Sequence, residues 1–217
     1  MKRIKFIILA VFILVFLFGV YLYKYQQLVT EGSLLADEHC IKINPLIIDR
    51  KNKYTDQYNL LLISASEEKY MDALDKYRKS ARLYTNEEKT WLAIQRKYLD
   101  GKIFNLMMPS YVKEAANYQY QMYAGQYLSS LYLNQVFDEK DKDKQVALSN
   151  KVMEETNKSN EALDKYNAIW EREKGKKDWI FNFVKVPASK CPAKNSDFPT
   201  VPNPFAPPAN DSNSPLS

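Results

Sequence analysis

The chain has 217 residues, a net charge of +5, a hydrophobic fraction of 46%, five glycines, ten prolines, two cysteines and one histidine. That length accommodates one membrane segment and one compact domain, not two domains. Lys2, Arg3, Lys5 and Lys24 flank a single apolar run, so the rest is close to neutral and the basic balance reports membrane topology, not nucleic-acid binding. A single His and two Cys exclude sites built on His pairs, His/Cys clusters or four cysteines.

Phe6 to Tyr23 is an uninterrupted run of 18 uncharged residues. As a helix rising about 1.5 Å per residue it spans roughly 27 Å, close to the hydrocarbon thickness of a bilayer. It is longer than the apolar core of a cleaved signal peptide and ends in Tyr21, Leu22, Tyr23 and Lys24 without a small-x-small cleavage site, so it reads as a signal-anchor. Glu38 and His39 ahead of Cys40 are not the small residues of a lipoprotein signal. The basic residues before the run assign 1–5 to the cytoplasm, 6–23 to the bilayer, 24–186 to an extracytoplasmic helical domain and 187–217 to a tail. A single-pass protein of a bacterial inner membrane, with its bulk in the periplasm, is the expected setting.

Between residues 25 and 175 there are four Gly and two Pro amid abundant Lys, Glu, Gln, Leu and Ala, a composition that favours helix. Tyr54, Tyr58, Leu62, Ser66, Tyr70, Leu74, Tyr77, Ala81 and Tyr84 recur at steps of three and four, which predicts one long helix over about residues 46–83, with Pro45 in its first turn. Thr85 to Glu88 has the form of a capping box that starts a second helix, carried by Trp91, Ile94 and Tyr98. Asp100 with Gly101 and Pro109 with Ser110 are the break signals that kink or divide it. Asp138 to Lys144 alternates acid and base and reads as a solvated turn. Leu148, Val152, Thr156, Ser159, Leu163, Tyr166 and Trp170 then form a heptad-like stripe on a last helix that ends at Gly175. The expected fold is all-α: one transmembrane helix, then a bundle of three or four long antiparallel, partly coiled-coil helices. Trp179, Ile180, Phe181, Phe183 and Val184 form an apolar cluster, and eight of the ten Pro fall between Pro187 and Pro215, so residues 192–217 should be extended and disordered.

Cys40 precedes the expected bundle and Cys191 follows it, both on the oxidising side of the membrane, and a disulfide between them is the economical expectation. Two free thiols, or a bridge to another chain, are the alternatives. His39 and Cys40 do not share a helix face, which argues against a catalytic pair. The acidic pairs Glu67/Glu68, Glu87/Glu88 and Glu154/Glu155 lack the Glu-x-x-His spacing of a helical metal site. No Gly-rich phosphate loop or nucleophile elbow occurs. We therefore expect no catalytic residues, no metal and no cofactor, although carboxylate-only catalysis leaves no sequence signature.

Tyr111 to Tyr132 holds six tyrosines in 22 residues. At 100° per residue, Tyr111, Tyr118 and Tyr132 share a face with Ala115, Met122, Gly125 and Ser129, while Tyr120, Tyr123 and Tyr127 lie opposite. Gly125 and Ser129 assign close helix approach to the first face. The second face, Tyr120, Tyr123 and Tyr127, is either core of a central helix or a partner-contact surface. The leading expectation is a non-enzymatic, membrane-anchored interaction or scaffold protein of the cell envelope. Its partners would be the lipid bilayer through 6–23, an envelope protein of unspecified identity and, as an open option, a second copy of itself. The alternative is an extracytoplasmic ligand-binding or sensing bundle that acts through a membrane partner.

Overall fold

The computed structural model describes residues 2–62, 67–176, 179–188 and 190, and every regular element among them is helical. α1 (Lys2–Glu38), a π-helical turn (His39–Ile43) and α2 (Asn44–Leu62) follow one another without a break, so the amino-terminal apolar helix continues into the rest of the molecule as one rod. It is long and apolar enough to cross a membrane, and its apolar stretch is bare of packing partners over most of its length. Pro45 accounts for the π turn. Proline has no N–H for the carbonyl four residues back, and its ring would press on that carbonyl in a regular α-turn. A wider turn, in which the Asn44 N–H reaches the His39 carbonyl five residues back, relieves both problems.

α3 (Glu67–Leu99) runs back along this rod, and donors on its side chains fix the register. Trp91 Nε1 donates to the Leu35 carbonyl (3.1 Å) and Tyr98 Oη to the Leu28 carbonyl (2.9 Å), while Ser80 Oγ donates to Asp49 Oδ2 (2.8 Å). Higher numbers on α3 meet lower numbers on the rod, so the two are antiparallel. Gly101 opens the short α4 (Lys102–Met107), and Pro109 precedes α5 (Ser110–Asp138), the division that the break signals indicated. α5 returns along α3, tied at its far end by Arg78 Nη2 donating to the Phe137 carbonyl (2.9 Å) and by the Arg82–Asp138 ion pair. α6 (Lys142–Glu173) starts at Asp141, whose carboxylate accepts from the Asp143 and Lys144 amides, and its last turn is followed by Gly175 at φ +82°. α5 and α6 are the most extensively packed pair. A 3-10 turn (Trp179–Asn182) follows.

Apolar burial falls into two clusters. Tyr25, Leu28, Leu99, Phe104, Met108, Ile180 and Val184 form one at the end where α1 leaves its apolar stretch. Ile43, Tyr84, Trp91 and Leu92 form the other, beside the π turn.

Three sequence expectations are corrected. The helix expected over 46–83 is two helices, α2 and α3, that fold back on each other; Ser66, counted on its stripe, lies outside the described residues. No Gly or Pro marks the reversal, so the periodicity runs through it. The capping box at Thr85 does not form: Thr85 Oγ1 donates to the Ala81 carbonyl one turn back (2.7 Å), and α3 continues through Glu88. On α6 the buried positions are Val152, Ser159, Ala162 and Ile169, while Leu163 and Trp170 stay largely exposed. Ala162 and Ile169, one residue before them, are buried in their place. The expectation for the tail falls on residues outside the described set.

Candidate functional site

The first face of α5 meets α6. A Cβ on Gly125 would lie 2.8 Å from the Glu155 carbonyl oxygen and 3.0 Å from Ser159 Cβ, so only glycine permits this approach. Ser159 Oγ donates to the Met122 carbonyl (2.9 Å), and Ser129 and Thr156 share a hydroxyl contact at 3.0 Å. The second face meets the rest of the chain: Tyr120 packs against both apolar clusters, and Tyr123 and Tyr127 against the one beside the π turn. The three tyrosines for which core and contact surface were both open are therefore partly buried against the chain's own apolar clusters.

Tyr123 leads to the most unusual chemistry in the molecule. Its ring lies 4.0 Å from that of His39, the Trp91 ring lies 4.2 Å from the same imidazole, and the Trp91 and Tyr123 rings meet edge-on at 5.2 Å, so the single histidine is the third member of an aromatic cluster. His39 Nε2 is buried and sits 3.4 Å from Glu88 Oε2, within ion-pair reach but off line for a hydrogen bond. Glu88 is 0% exposed, and among the described residues neither of its oxygens has a hydrogen-bond partner. Burial, and then the nearby Glu88 charge, push the Tyr123 phenol up to about 12 and raise that of Tyr84 as well.

His39, Trp91 and Tyr123 form one end of a partly open cavity of about 590 Å³ between α1, α3 and α5; Tyr25, Leu28, Phe104 and Met108 form the other end. Most of the wall is apolar or aromatic. Gln95 lines it too, 6% exposed, and its Oε1 has no hydrogen-bond partner among the described residues. Size and lining suit a small molecule with an apolar body and a hydrogen-bond donor. Among the described residues no group of three or more His, Cys, Asp or Glu is placed to hold a metal ion.

Cys40 also lines the cavity, whereas Cys191 lies outside the described residues. The chain that leads to it runs along α1. Lys185 N–H donates to Gln26 Oε1, and Gln26 Nε2 donates back to the Lys185 carbonyl, both at 2.7 Å. Farther on, Lys190 N–H donates to the Asp37 carboxylate at 3.0 and 3.1 Å. From Gln26 to Asp37 the helix rises roughly 16 Å at about 1.5 Å per residue, and the step from Lys185 to Lys190 covers the same distance at about 3.3 Å per residue. The segment is thus a strap laid straight along the helix.

Comparison with protein-family models, curated proteins and solved structures gives no match for this chain. The geometry defines a class only: a chain whose described elements are all helical, with one long apolar amino-terminal helix and a largely apolar, partly open cavity beside a buried His–Glu pair.

Sequence reasoning placed Glu88 in a capping box and an acidic pair, where the structure buries it completely, and passed over Gln95. Their signal was present: Leu74, Tyr77, Ala81, Tyr84, Glu88, Trp91, Gln95 and Tyr98 step alternately by three and four, so both polar residues stand on the apolar stripe of α3.

Proposed function

We propose that the chain is a single-pass, membrane-anchored helical bundle of the cell envelope, with residues 24–186 outside the membrane, that binds a small apolar or amphiphilic molecule in the cavity between α1, α3 and α5. It acts by binding, not by catalysis. The observation that carries this reading is the unpartnered Gln95 Oε1 in the wall of a largely apolar cavity of about 590 Å³. A buried acceptor without a partner costs about 1–3 kcal/mol, and an occupant with a donor offsets it. The test is saturable binding of 1-aminoanthracene, an apolar amine, to the full chain in lipid nanodiscs. Binding that is lost in Ala116→Phe, which fills the cavity, supports the reading. Equal signal from both proteins reports partition into lipid and overturns it.

A scaffold role is the second reading. It draws support from Val146, Met153, Leu163 and Trp170 along the outer side of α6, all exposed. A partner would cover that side, not Tyr120, Tyr123 and Tyr127.

We also propose the Cys40–Cys191 disulfide. The hydrogen bond from Lys190 to Asp37 supports it, since it brings the residue before Cys191 to within three residues of Cys40 on the rod. A maleimide-polyethylene-glycol gel shift that appears only after reduction is the expected result; modification of both thiols without reduction would exclude the bridge.

A further inference from the structure

The strap begins in an unexpected place. Trp179 stacks on Phe18 with ring centroids 6.2 Å apart, and Phe183 meets Phe18 edge-on at 6.1 Å. Phe18 belongs to the apolar run that ends at Tyr23, so it lies about 7 Å inside that end along the helix axis. Side chains that touch it from the side share its depth. Trp179 is 55% exposed and Phe183 59% exposed, although their neighbours Ile180 and Val184 are buried against Tyr25 and Leu28. One side of the segment thus seals the apolar cluster, while the other presents two large rings outward, level with the membrane run. α4 adds Leu106, 87% exposed, at the same end of the molecule, since its neighbours Phe104 and Met108 belong to that cluster. Lys24, Lys102 and Lys185 lie around these residues, and none of them takes part in an ion pair among the described residues.

We propose that Trp179 and Phe183 are inserted into the outer leaflet of the bilayer that α1 crosses, as a second membrane contact formed by the carboxy-terminal part of the chain, with Lys24, Lys102 and Lys185 meeting lipid phosphates. This rests on the reading of residues 6–23 as a membrane span. The chemistry agrees with the position: an indole is favoured at the interface because its ring is apolar and its N–H stays hydrated, and lysines just outside the apolar zone attract anionic headgroups. Continuity with the span identifies the occupant of this surface as lipid.

The test uses the full chain in phosphatidylethanolamine–phosphatidylglycerol vesicles containing lipids brominated either near the headgroup end or near the terminal methyl of the acyl chain. Trp91→Phe/Trp170→Phe leaves Trp179 as the only indole, and Phe12→Trp in a background with all three tryptophans replaced by Phe reports the span itself. Quenching of Trp179 by the shallow bromines, together with quenching of the tryptophan at position 12 by the deep ones, is the expected result. Quenching at position 12 without quenching of Trp179 overturns this inference and leaves the span standing. Absence of quenching at position 12 overturns the span and this inference together. Because Trp91 supports α1 through its hydrogen bond to Leu35, the wild-type chain is tested as well, with a lipid carrying a diazirine in its acyl chain. Adducts are expected in residues 179–186 and not at Glu139 to Asp141; the reverse distribution would also overturn the inference.

Discussion

Glu88 has no exposed surface, and its buried polar neighbour at 3.4 Å is a histidine packed against the rings of Trp91 and Tyr123. Removing one member of a buried pair leaves the other without compensation, which costs about 3–5 kcal/mol, whereas replacing both by apolar groups is far milder. His39→Leu should therefore lower stability by about 3 kcal/mol or more, and His39→Leu/Glu88→Leu should lose much less than the sum of the two single variants. Thermal unfolding of all four proteins in the same micelles measures the coupling. The tyrosines around the pair give a pH dependence of definite sign. Tyr84, Tyr98 and Tyr123 are raised above the ordinary value of 10.0, chiefly by burial, with Tyr123 at about 12. The native state keeps protons that the unfolded chain has released, so stability contributed by the neutral phenols is complete below pH 10 and declines as pH rises toward 12. Circular dichroism against phenolate absorbance should show unfolding in that window, and Tyr123→Phe should make the decline shallower. The stripe on α3 showed that Glu88 and Gln95 face inward, but not what they face. His39 lies some fifty positions away in sequence, and only the antiparallel return of α3 along α1 brings the two together.

Two glycines show how local contacts set the packing of whole elements. At Gly125 an added methyl would meet backbone and Cβ atoms of α6, which cannot withdraw without moving the helix, so Gly125→Ala should cost about 1–3 kcal/mol. At Gly32 the nearest atom is the Tyr98 hydroxyl at 3.2 Å, the far end of a side chain, and Gly32→Ala should cost less. Melting temperatures of the two variants decide the order. Asp141→Ala removes both side-chain hydrogen bonds that open α6 and should cost about 1 kcal/mol in the same assay. Helices α4, α5 and α6 were legible because Gly101, Pro109 and the charged turn mark their ends. The reversal between α2 and α3 was not, since the same three- and four-residue spacing runs through the sequence of both helices and no breaker separates them. Nor did the sequence announce the π turn as such: Pro45 reads equally well as the first turn of a new helix, and only the continuous rod forces the extra width.

At the scale of the molecule, the strap joins the last part of the chain to the first. Gln26 and Asp37 each hold it by paired hydrogen bonds. With the proposed bridge, a loop of about 150 residues is closed, a constraint that contributes roughly 4–5 kcal/mol through the unfolded state before any strain is subtracted. Reduction, or Cys40→Ser, should lower the melting temperature and release the Lys185 and Lys190 amides first in hydrogen exchange. Loss of stability without early exchange at those amides would mean that the strap is held independently of the bridge. The cavity could not be read from the sequence, because its wall draws on side chains from Tyr25 to Trp170 and its volume is a property of the spacing between their helices.

The unbroken rod has a mechanical consequence. From Lys24 to Leu62 it rises roughly 57 Å at about 1.5 Å per residue, with no loop at the point where it leaves the apolar stretch. A helix without a joint transmits tilt and rotation, so any change in the inclination of its apolar end sweeps its other end, which runs past the turn where α5 gives way to α6, through a larger arc. On the proposed reading of residues 6–23 as a membrane span, the molecule is a lever with its fulcrum at the bilayer surface, and what it reaches is set by how that first helix lies in the lipid.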